Sequence, residues 1–119
     1  MGKRSRRRGD RDTLAAPESE YRSAGGDVLV LRGAMTAATR REYAAAVAGS
    51  PLSREDAWQH SAEFLFERLA VSWEIHGVRT DGQRELLARL RAATPDERRF
   101  VRDALRTHCS EWFPDVEAP

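Results

Sequence analysis

The 119 residues, 40% hydrophobic and 33% charged, predict one small soluble domain, and no apolar run approaches the ~18 residues that a membrane span needs. The lone cysteine, Cys109, excludes an internal disulfide and suits a reducing, bacterial-type cytoplasm. Net charge is +1 but uneven, with six basic residues against two acidic ones in the first twelve positions and fourteen against seventeen in the rest.

Residues 1–27 open with a dense basic run, Lys3, Arg4, Arg6, Arg7 and Arg8, and end in Gly25-Gly26-Asp27. The run leads into Gly9, Asp10 and Arg11 rather than into an apolar stretch, so it does not read as a secretion signal. Leu14 and Tyr21 are its only sizeable apolar side chains, too little to offset the entropy of ordering, which predicts a disordered basic arm. Such an arm is a candidate contact for nucleic acid or another polyanion. Nineteen of the twenty basic residues are arginine, which together with abundant alanine reads as the codon bias of a GC-rich genome and weakens any phosphate argument.

Residues 28–31, Val-Leu-Val-Leu, are rich in strand formers but lack a second strand to pair with in the sequence. They are expected to lie docked on a helical core or to begin the first helix or, as a strand, to pair with another chain. Residues 35–48 are alanine-rich and predict a helix starting at Thr36 or Thr39, ended by Gly49-Ser50-Pro51. The longest signal spans residues 53–76. Ser53 is a good N-cap, Gly77 a good terminator, and neither proline nor glycine intervenes. Wound at 100° per residue, it gathers Trp58, Ala62, Leu65, Phe66, Leu69 and Trp73 on one face and Ala57, Phe64, Val71 and Ile75 on a second. A helix apolar on two sides must be covered on two sides, which puts it at the centre.

Two helices follow, over about 82–93 and 95–113. The second opens with Thr94-Pro95-Asp96-Glu97, a capping box with proline at the first helical position. Residues 114–119 read as a flexible tail. The expected fold is therefore all-α: a small three- to four-helix bundle over residues 28–113 around a long central helix at about 53–76, behind the basic arm.

Chemistry-bearing residues are few. His76 and His108 both fall on apolar helical faces and form a candidate buried polar pair; no spacing of histidine and carboxylate repeats as a bundle metal site requires. Cys109 beside His108 points about 100° away from it on a helix, so the imidazole is poorly placed to activate the thiol. The last two helices resemble a helix–turn–helix in outline, but the second begins Asp96-Glu97, which phosphate repels. Arg99, Arg102 and Arg106 line its polar side as candidate contacts for a partner or an anion. No catalytic residue, cofactor or metal is implied. The expectation is a non-enzymatic protein–protein interaction or regulatory accessory protein, monomer or homodimer, without membrane contact. The alternative is nucleic-acid binding through Arg4, Arg6, Arg7, Arg8 and the arginine side of the last helix.

Overall fold

Val71, Trp73 and Ile75 are β-branched or aromatic residues two positions apart, and a period of two belongs to a strand rather than a helix. The computed structural model describes residues 17–48, 54–116 and 118–119, giving the main chain alone for 54–56 and 58. In it the long apolar segment divides at Leu69 into a helix and a strand. Elements run β1 (Glu18–Arg22), β2 (Val28–Arg32), α1 (Ala37–Ala48), α2 (Arg54–Leu69), β3 (Ala70–Ile75), β4 (Val78–Asp81), α3 (Gln83–Arg91) and α4 (Pro95–Trp112). The fold is α+β, with four antiparallel strands in the order β1-β2-β3-β4. The expectation of an all-α bundle around a helix at 53–76 is overturned.

The reason lies in two signals that helix and strand share. A left-handed glycine stops a helix, but it also closes a hairpin. His76 (φ 51°) and Gly77 (φ 78°) are the two central residues of the β3–β4 turn, and two positive φ values in a two-residue loop are the type I′ pattern that matches strand twist. The second apolar face drawn for the long helix arose from imposing a 3.6 period on strand residues. Trp73 and Ile75 in fact point into one core, while Glu74 points to solvent.

Residues 28–31 find their strand partners within the chain. β2 is a central strand between β1 and β3, with Leu29 opposite Tyr21 on one side and Trp73 on the other. β1 escapes notice in the sequence because only Ser19 and Tyr21 face inward while Glu18, Glu20 and Arg22 face solvent. Two residues of β3 oppose one of β2 between Val30 and Leu31, a bulge that places Val71 out of register where α2 enters the strand without a loop.

The helices cover one face of the sheet. Leu29, Leu31, Trp73 and Ile75 from the strands meet Leu65, Phe66 and Leu69 of α2, Leu86 and Leu90 of α3, and Val101, Leu105 and Cys109 of α4 in a single core. α1 adds Tyr43, whose ring centroid lies 5.8 Å from that of Phe64. Thr36 is its cap, accepting the Thr39 amide at 3.1 Å. No helix among the described residues is long and apolar enough to cross a membrane.

The capping box at α4 forms as the sequence predicts. Thr94 Oγ1 accepts the Glu97 amide at 3.1 Å, and Glu97 Oε1 accepts the Thr94 amide at 3.0 Å. That amide holds the Glu97 carboxyl below the usual glutamate range; burial opposes it, and the Arg89 guanidinium at 3.1 Å adds to the lowering. Thr94→Ala is expected to destabilise the fold by about 1 kcal/mol, read as a shift in the urea midpoint at unchanged slope.

Candidate functional site

On α4 a side chain recurs on the same face every three or four residues, so Arg98, Arg102 and Arg106 form one row with Arg99 beside it. The row faces α2, which supplies Gln59, Ala62 and Glu63. Between the two helices runs a groove of about 600 Å³. Ala62, Leu90 and Val101, each buried, make an apolar floor, and the four arginines stand along the rim. Arg99, Arg102 and Arg106, singled out in the sequence, thus come together.

The rim is held by specific contacts. Arg91 Nε bonds Glu63 Oε1 at 3.0 Å across the α2–α3 side, and Arg98 Nη2 donates to the Arg91 carbonyl at 2.7 Å. Arg106 donates from Nε and Nη2 to the Pro119 carbonyl at 3.2 and 3.1 Å, while Val116 and Ala118 pack against the core, so the tail folds back along α4. Among the described residues Arg99 makes only a long 3.8 Å contact with Asp96, and both side chains are largely exposed, an arrangement that contributes little to stability and leaves the guanidinium available.

His76 and His108 do not meet. His76 lies exposed in the β3–β4 turn, where its amide donates to Asp27 Oδ1 at 3.1 Å. His108 is fully buried near the other end of β2, with Nε2 2.8 Å from the Arg32 carbonyl and Nδ1 2.8 Å from the Tyr21 hydroxyl. A carbonyl only accepts, so Nε2 carries the proton and Nδ1 accepts from Tyr21. Burial keeps this imidazole below the ordinary histidine range and is the largest cause raising the Tyr21 hydroxyl above its own. Trp112 Nε1 donates to Ser19 Oγ at 3.1 Å one turn further on, so α4 holds β1 through two side-chain contacts.

Burial pushes the Cys109 thiol up to about 11, which leaves it a core side chain without nucleophilic character at neutral pH. Among the described residues no group of three or more histidine, cysteine, aspartate or glutamate side chains stands where it could hold a metal ion. Arg4, Arg6, Arg7 and Arg8 lie outside the described residues, as does the Trp58 side chain.

Arg98 and the α2 rim were not singled out from the sequence. Arg98 was within reach, because it precedes Arg102 by one turn; Gln59 and Glu63 were not, since only the packing of α2 on α4 brings them there. Neither a family model, a curated protein nor a solved structure matches the chain.

Proposed function

We propose that the chain is a small non-enzymatic interaction module, acting in a reducing cytoplasm as a regulatory accessory protein, and that it seats an apolar, acidic segment of a protein partner in the α2–α4 groove. One observation carries this reading: an apolar floor bordered by four guanidiniums. Arginine is enriched at protein interfaces because its planar fork bonds carboxylates in pairs and sheds water readily. A segment with leucine- or phenylalanine-like anchors flanked by carboxylates complements both parts of the groove.

Nucleic acid is the weaker occupant. Glu63 and Asp103 share the groove with the arginines, and Asp96 stands 94% exposed at the start of α4, so a phosphate chain laid along the rim meets three carboxylates.

A photo-crosslinker at Gln59 is expected to capture a protein from the native host in the presence of nuclease, whereas one at Glu20 on the opposite face of the sheet is not. Arg99→Glu combined with Arg102→Glu is expected to weaken that capture at least about tenfold, since each reversed charge faces a carboxylate of the partner. Capture that is indifferent to the reversal removes the groove from the reading, and capture that disappears with nuclease replaces it with nucleic acid.

A further inference from the structure

An open antiparallel sheet ends in two strands that each carry an unpaired row of main-chain groups, here, among the described residues, β1 and β4. Which groups of β4 face outward follows from its turn. A two-residue loop makes Ile75 and Val78 a hydrogen-bonded pair, and alternation makes Trp73 and Thr80 the next. The N–H and C=O groups of Arg79 and Asp81 therefore point away from β3. Arg79 and Asp81 also share the outer face of the sheet, in a 3.3 Å ion pair with side chains 62% and 67% exposed. Next to them Val78, 68% exposed, is the one large hydrophobic side chain among the described residues left open to solvent.

We propose that β4 pairs with β4 of a second copy of this chain, antiparallel about a two-fold axis at Thr80, joining two sheets into one. Charge selects the register. An axis at Arg79 sets arginine against arginine, and one at Asp81 sets aspartate against aspartate. The axis at Thr80 alone places Arg79 of each copy opposite Asp81 of the other. Each such pair exchanges two main-chain hydrogen bonds across the axis. The same axis sets the two Thr80 side chains against each other and places Val78 opposite Gly82 of the other copy.

The other edge is less fully matched: an axis at Tyr21 sets Glu20 against Arg22 of the other copy but leaves Glu18 opposite Ala24. Ser23 N donates to the Asp27 carbonyl and Gly33 N to the Pro17 carbonyl, which fixes Glu18, Glu20 and Arg22 as the outward residues of β1. No two-fold register there sets all three against an opposite charge. Pairing β1 with β4 of another copy leaves a free edge at each end and grows a filament instead of a closed dimer.

A strand of four residues is a short seam, so association in the micromolar to millimolar range is expected rather than an obligate dimer. The test is sedimentation equilibrium of the full chain from about 5 µM to 1 mM, with Arg79→Asp, Asp81→Arg, both together, and an equimolar mixture of the two single variants, each checked for folding by circular dichroism. Each single reversal turns two attractive cross-strand pairs into repulsive ones and is expected to weaken the dimer about tenfold or more. The double reversal restores opposite charges across the axis and regains the dimer; the mixture regains it as a heterodimer. A chain monomeric throughout overturns the proposal. So does a dimer that ignores both single reversals, or one that neither the double reversal nor the mixture restores.

Discussion

The substitution His108→Ala is expected to remove about 3–5 kcal/mol of folding stability, a large part of what a domain of this size possesses. The imidazole is fully buried, and its loss strands two partners in the interior, the Arg32 carbonyl and the Tyr21 hydroxyl, as well as leaving a cavity. Because β1 is held to α4 through this ring and through Trp112, hydrogen exchange in β1 is expected to quicken more than in β3. The same residue gives the fold an acid limit. The folded state holds His108 neutral, so in the unfolded chain it takes up a proton at higher pH, near the ordinary value of about 6.5. The stability it contributes is present above that value and is lost as pH falls through the lower value of the folded state. Denaturant midpoints measured from pH 7.5 to 5 are expected to decline in the native chain and to flatten in His108→Gln, which offers a donor to the carbonyl but does not titrate. A slope that survives the substitution assigns the acid limit to other groups.

Trp73→Ala is expected to cost about 3–5 kcal/mol and Trp73→Phe less than about 1 kcal/mol. Trp73 is the largest of the fully buried side chains, with Phe66 edge-on to it at 5.6 Å between centroids and the Arg89 guanidinium 5.5 Å from its ring centre. Removing it empties the middle of the core. Its indole N–H, however, is buried without a hydrogen-bond partner among the described residues, a deficit of about 1–3 kcal/mol that phenylalanine abolishes while keeping most of the ring. Urea unfolding of both variants separates these contributions: equal costs in the two would mean that the indole N–H is satisfied after all.

Legibility in the sequence followed the kind of signal each element carries. α4 was readable to within a residue because a capping box is local chemistry, complete within four positions. α1 and α3 were readable because nothing competes with a 3.6 period between their terminators. β3 was not, since it follows α2 with no intervening loop and its residues satisfy a helical wheel as well as a strand. β2 looked like a strand without a partner because β1 hides its pattern behind Glu18, Glu20 and Arg22, and one tyrosine and one serine do not announce an inward face. At the groove, the arginine row is a property of one helix and shows in the spacing of Arg99, Arg102 and Arg106. The floor and the opposite rim are properties of packing, and no spacing within α4 encodes Ala62 or Gln59. The histidine pair failed for the same cause as the central helix, because His76 belongs to a turn.

Strand order that follows chain order has a kinetic consequence. The β1–β2 and β3–β4 ladders each close within a hairpin, so both can form as local events on the microsecond scale. The β2–β3 ladder must wait for the whole of α1 and α2 to be spanned, and its closure entropy is spent before Leu29 and Trp73 touch. Leu29→Ala is therefore placed to slow refolding, whereas Thr94→Ala, at a cap remote from that ladder, mainly hastens unfolding. One seam in the middle of the sheet sets the pace at which the molecule assembles.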